Sequence, residues 1–269
     1  MNPTLTIQDQ PGDPDGDPLV LVRTYLSTTY LISAALLAQK AYAIETGPAV
    51  QAGRIGLVEQ HDHQAFASAA IIMSALGVEA FVNELFADCL AAGANNLFGL
   101  SASQADRLAR VWRGPQAKGQ RGRSRRHPRD DIESQRSLYK YDVVARALDL
   151  PRFNFKAEPV KAMGTLIKLR NALAHYKLAV RTVRREGEQR ARSDLEKALQ
   201  RYFPDHNQPE HNPMTGLNNA YIPDRVIGHA VAEWSVQTAV AFLEYFRGLL
   251  SVTPQQGQPW PTELMRMTR

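Results

Sequence analysis

The residues that could do chemistry stand close together in one short stretch, Leu166-Ile167-Lys168-Leu169-Arg170-Asn171-Ala172-Leu173-Ala174-His175-Tyr176-Lys177. On a helix, Leu166, Leu169, Leu173, Tyr176 and Val180 fall at steps of three and four and make one apolar stripe for the core. Asn171 and His175 are one turn apart and point roughly opposite that stripe, with Arg170 between the two faces. An imidazole moves protons near neutral pH. A guanidinium is permanently charged and its planar fork matches phosphate or carboxylate oxygens. An amide can orient the imidazole or bind an anion. Together the three would suit acid–base chemistry at an anionic centre. The same residues are also ordinary for a solvated helix face, although Asn is a poor helix former in mid-helix.

A second set interrupts an apolar stripe. Ile72, Leu76, Glu79, Asn83, Phe86 and Leu90 lie at helical spacing, so Glu79 and Asn83 are expected to be buried and to need partners. Arg170 is the candidate partner. The alternative is that Glu79 and Asn83 only tie neighbouring helices together. A third set is the run 114–130, GPQAKGQRGRSRRHPRD, in which Lys118, Arg121, Arg123, Arg125, Arg126 and Arg129 are accompanied by almost nothing apolar. It reads as a loop that could track an RNA backbone or simply be solvated, and with no aromatic residue among the cations it offers no base stacking. His61-Asp62-His63 and the pair His206 and His211 lack a matching partner cluster, so no metal site is expected. A phosphate-binding loop, a nucleophile elbow and a dinucleotide fingerprint are all missing from the sequence, which leaves nucleotide hydrolysis and serine hydrolase chemistry without support. No cofactor is expected.

These residues must be carried by helices. The sequence predicts a disordered lead over 1–18, a helix over 19–44 ended by Gly47-Pro48, and a helical region over 49–92 with a break near His61. Ser101 reads as an N-cap for a helix ending near Trp112. Further helices are expected over 134–148, 159–183, 193–203 and 224–250, separated by the basic insert 114–130 and a charged, Pro-rich insert 184–223. A loosely ordered tail over 251–269 follows. No strand pattern or repeat stands out, so the fold class is all-α, a helical bundle with loop insertions spanning 19–250. The 269 residues are 44% hydrophobic and 22% charged, enough to bury a core, and the net charge of +5 allows a polyanionic partner without demanding one. The single cysteine, Cys89, falls in an apolar stretch and is expected to be inert core. With no export-signal pattern at the N-terminus and polar residues within 19–37, the expected setting is cytoplasmic, with no membrane association.

The Arg170-Asn171-Ala172-Leu173-Ala174-His175 stretch resembles the signature of the HEPN superfamily, in which an Arg, commonly followed by a polar residue, precedes a His by four to six residues. The earlier Glu79-Ala80-Phe81-Val82-Asn83 is similar to the Glu-Ala-Phe-x-Asn helix that often precedes that signature, and Leu138-Tyr139-Lys140-Tyr141 lies between the two as in similar proteins. The resemblance covers about residues 60–183. It implies an all-helical HEPN domain and metal-independent RNA cleavage by Arg170, Asn171 and His175, supported by Glu79, Asn83 and Tyr176. It further implies a toxin or antiphage defence role, pairing of two copies and a protein antitoxin or regulator. The alternative is a catalytically silent HEPN scaffold that binds RNA or a protein. In the branch silenced by adenylylation a Tyr lies two positions beyond the His, whereas here Tyr176 follows His175 directly.

Overall fold

A computed structural model describes residues 24–114, 132–176, 193–203, 212–215, 219–250 and 262–269. Among these the fold is all-helical, as expected. The helices are α1 (Ser27–Glu45), α2 (Pro48–Gln51), α3 (Leu57–Ala92), α4 (Ala102–Arg113), α5 (Ser137–Ala147), α6 (Glu158–Ala174), α7 (Asp194–Leu199), α8 (His229–Leu250) and α9 (Thr262–Arg266). Helix α3 is the axle of the bundle, packing against α1, α4, α5, α6 and α8.

The α1–α3 contact is the most extensive helix pairing, and small residues allow it. Ala34, Ala35, Ala38 and Ala41 of α1 and Ala67, Ala70 and Ala75 of α3 are all fully or almost fully buried. At Gly77 a Cβ would sit 2.7 Å from Leu31 Cγ and 3.3 Å from the Ser27 carbonyl oxygen, so the close approach itself requires glycine there. The other half of the core is aromatic. Tyr141 on α5 is fully buried and meets Phe242 and Phe246 of α8 edge to face, with ring centroids 4.8 and 4.6 Å apart. Its hydroxyl donates to the Val78 carbonyl at 2.7 Å.

Helix boundaries follow from where backbone amides find partners. Helix α1 starts at Ser27, not at residue 19. Glu84 of α3 accepts hydrogen bonds from the Leu26 and Ser27 amides at 2.6 and 2.8 Å and so caps it from outside. Residues 19–23 lie outside the described residues, and Thr24–Leu26 are not helical. Helix α3 runs unbroken through His61, and the interruption comes earlier, at 52–56. There His63 is fully buried with its Nε2 2.6 Å from Glu45 Oε1, so it belongs to the core. Ser101 caps α4 as expected, in a reciprocal capping box with Gln104. The last long helix begins at His229, because residues 221–225 form a separate irregular turn with an extended Ile222.

The loosely ordered tail expected over 251–269 needs correction at its described end, 262–269, while 251–261 lies outside the described residues. Met265 is fully buried, and Arg269 donates to Glu233 at 2.9 and 2.7 Å. Thr268 donates to the same carboxylate at 2.7 Å, so residues 262–269 are docked on α1 and α8. The expectations for 1–18, for nearly all of the basic insert and for much of the 184–223 insert fall outside the described residues.

Candidate functional site

Helix α6 buries Val160, Ala162, Met163, Thr165, Leu166 and Leu169, which is the upper part of the expected stripe. The stripe weakens beyond Leu169. Leu173 is half-buried, Tyr176 is 53% exposed, and Val180 lies outside the described residues. The helix ends at Ala174, nine residues short of the expected boundary, with His175 as its C-cap (φ −118°, ψ 44°). The His175 amide still donates to the Asn171 carbonyl at 3.0 Å, so the Arg170–His175 spacing keeps its helical turn. Tyr176 lies beyond the helix end and is exposed, so it is not a core residue.

Arg170 is where the motif is anchored. Its Nη2 donates to Glu79 Oε2 at 2.8 Å, the pairing expected from the sequence. The side chains are 18% and 34% exposed, and Arg170 Nε is buried without a hydrogen-bond partner. Asn83, one turn along α3, has a different partner: Lys140 of α5 donates to its Oδ1 at 2.8 Å. Glu79 thus ties α3 to α6 while Asn83 ties α3 to α5. Asn171 and His175 are exposed. The structure therefore brings Arg170 to Glu79, leaves Asn171 and His175 on the open side, and places Asn83 in an adjoining contact.

The sequence reading missed Lys140. It is 1% exposed, on a face it shares with Ser137, Tyr141, Val144 and Ala145. The signal was present in that spacing, since a lysine on a buried face must find acceptors. Beside it, the Tyr141 hydroxyl is pushed well above its ordinary pKa by burial and by the Glu84 and Glu79 carboxylates, which keeps it a neutral donor. Cys89 is buried, and burial with neighbouring Asp88 pushes its thiol up to about 12, in keeping with an inert core residue.

Lys118, Arg121, Arg123, Arg125, Arg126 and Arg129 lie outside the described residues, as do His206 and His211. Among the described residues no group of three or more His, Cys, Asp and Glu is placed to hold a metal ion. One helical stretch, Leu57–Asn95, is long and apolar enough by length and composition to cross a membrane, and half of its apolar window is buried inside the protein. Comparison with family models, with curated proteins and with solved structures finds no match.

Proposed function

We propose that this chain is a metal-independent endoribonuclease of HEPN type, working through Arg170, Asn171 and His175. The observation that carries the reading is the Arg170–Glu79 pair at 2.8 Å, which fixes the guanidinium while Asn171 and His175 stay exposed beside it. His175 as base takes the proton of an RNA 2′-hydroxyl. The 2′-oxygen bonds to phosphorus, the bond from phosphorus to the 5′-oxygen breaks, and that oxygen is protonated as it leaves. The products are a 2′,3′-cyclic phosphate and a 5′-hydroxyl. Arg170 offsets the extra negative charge of the crowded phosphorus, and Asn171 orients the imidazole or the phosphate. DNA lacks the nucleophile and is not cut.

One chain supplies a single motif imidazole, whereas the reaction uses a base and an acid. A two-fold pairing of motif faces would provide both, because such an interface uses the same patch on each copy. The setting that fits is an intracellular toxin or defence nuclease under the control of a protein regulator. A silent scaffold is the second reading. What favours it is the engagement of Arg170 Nη2 by Glu79, since that contact alone would account for the arginine as a tie between helices.

The deciding experiment is incubation of total RNA with purified wild type and His175→Ala in EDTA. Cleavage to 5′-hydroxyl ends by wild type and its loss in the variant support the nuclease. No cleavage by wild type leaves the scaffold, and equal cleavage by the variant removes His175 from the site. Excess His175→Ala subunits should suppress wild-type activity through mixed pairs. A monomer in sedimentation equilibrium that still cleaves overturns the shared site.

A further inference from the structure

Helices α6 and α7 face each other across an open cleft of about 480 Å³. Each presents one face to it at the same spacing. Lys161, Gly164, Thr165 and Lys168 line it from α6, and Asp194, Lys197, Ala198 and Arg201 from α7 and the turn after it. Steps of three, four and seven put each set in a single row. Among the residues that line it, four cations thus meet one carboxylate. That carboxylate, Asp194, is almost wholly exposed and stands 3.7 Å from Lys197. Phe155 lines the cleft as well, 52% exposed, its ring braced edge to face by the buried Phe153 at 5.1 Å. Tyr202 also lines the cleft, with its hydroxyl donating to Glu158 at 2.9 Å.

Gly164 forms part of the wall. Glycine is among the poorest residues for a helix interior, and here packing does not demand it. A Cβ at Gly164 would meet only Leu138 Cδ1, at an ordinary 3.8 Å. This is the opposite of Gly77, whose Cβ would collide with the neighbouring helix. What a larger side chain at Gly164 would occupy is the cleft.

The row on α6 has a direction. Lys161, Lys168 and His175 are spaced by seven residues, two turns or about 10 Å of axis per step. Asn171 lies three positions beyond Lys168 on that face. The cation row therefore points along α6 toward the exposed Asn171 and the C-cap His175.

We propose that this cleft is a nucleotide-binding site, taking the phosphates of an RNA strand between the two cation rows and a base against Phe155. The choice of RNA rests on the cleavage reading above, while the cleft's affinity for a nucleotide does not. Cations at both walls neutralise a phosphodiester backbone, and an exposed aromatic ring accepts any base by stacking. The strand then continues along α6 to the motif.

The test is fluorescence anisotropy of the full chain with a labelled 2′-O-methyl RNA of about 12 nucleotides, which the protein cannot cut because its nucleophile is blocked. Gly164→Leu, Phe155→Ala and the double variant Lys168→Glu/Lys197→Glu should each lower affinity roughly tenfold. The double variant should also flatten the salt dependence. Gly164→Leu should hold or raise the melting temperature, which separates a filled cleft from a damaged fold. Displacement of the RNA by excess adenosine monophosphate assigns the site to a free nucleotide; failure of displacement assigns it to a strand. Unchanged affinity in Gly164→Leu or in the double variant overturns the site. If wild type cuts no unmodified RNA yet these variants lose affinity, the nuclease reading fails and the cleft stands. If wild type cuts RNA and the variants bind as it does, the cleft fails and the nuclease stands.

Discussion

Lys140 is a buried cation beside the helix turn that holds Glu79. Its side chain is 1% exposed, and Asn83 Oδ1 accepts from it at 2.8 Å. Removing an acceptor from a buried donor costs more than the hydrogen bond contributes, because the donor keeps its desolvation penalty. Asn83→Ala should therefore destabilise the protein by about 1–3 kcal/mol, read as a lower urea midpoint with an unchanged slope. A change below about 0.5 kcal/mol would mean that Lys140 reaches water or other acceptors without loss. The sequence exposed one side of this arrangement. Glu79 and Asn83 announced themselves by interrupting an apolar row, and Arg170 was found as the partner of Glu79. Lys140 stayed hidden because its neighbours Tyr139 and Tyr141 and the following Val143 and Val144 blur which face of α5 is buried.

Among the elements, the α1–α3 pair sets the geometry on which the motif depends. Gly77 is a point of close approach in it, and Gly77→Ala tests it. Alanine improves helix propensity by about 1 kcal/mol. That gain is opposed by a Cβ driven into the fully buried Leu31 and close to the Ser27 carbonyl oxygen. The expected outcome is a net loss of about 1–3 kcal/mol, with α1 displaced from α3. A stabilised variant would show the contact to be looser than described. Helix existence was readable in the sequence because α3 and α8 are long and apolar and α6 carries an apolar row. Helix ends were readable only where a local signal sets them, as with Ser101 and Gln104. The start of α1 depends on Glu84, 57 residues away from Ser27, and no local pattern carries that. The end of α6 was misplaced for a related reason: Leu173, Tyr176 and Val180 keep the period, but period alone cannot say where the partner surface stops.

At the scale of the whole molecule, residues 262–269 return to the bundle and are held through Glu233. Burial alone would raise the Glu233 pKa. Hydrogen bonds from Arg269 and Thr268 and the nearby charges of His229 and Arg269 outweigh it, and the carboxyl is held below its ordinary 4.5. Folding thus favours the ionised form. The stabilisation is complete above the unfolded carboxyl range and is lost as pH falls through the lower folded value. The melting-temperature difference between wild type and Glu233→Gln should shrink as the solution is taken from about pH 6 to about pH 3. A constant difference would show that the carboxylate charge contributes nothing to this docking. The sequence concealed the docking because it rests on one apolar side chain, Met265, and on ion pairs to a distant helix, neither of which has a period.

Helix α3, with 36 residues, extends for about 54 Å, and its two ends should not open together. Leu57 and Val58 at its start are 74% and 70% exposed, whereas Phe81, Val82, Leu85 and Phe86 are sealed. Amide hydrogen exchange should accordingly run fast over the first turns and reach the global unfolding limit through the segment holding Glu79 and Asn83. The foundation under Arg170 then belongs to the last part of the protein to open, so that mild denaturant can release α9 and fray the start of α3 while the motif keeps its anchor.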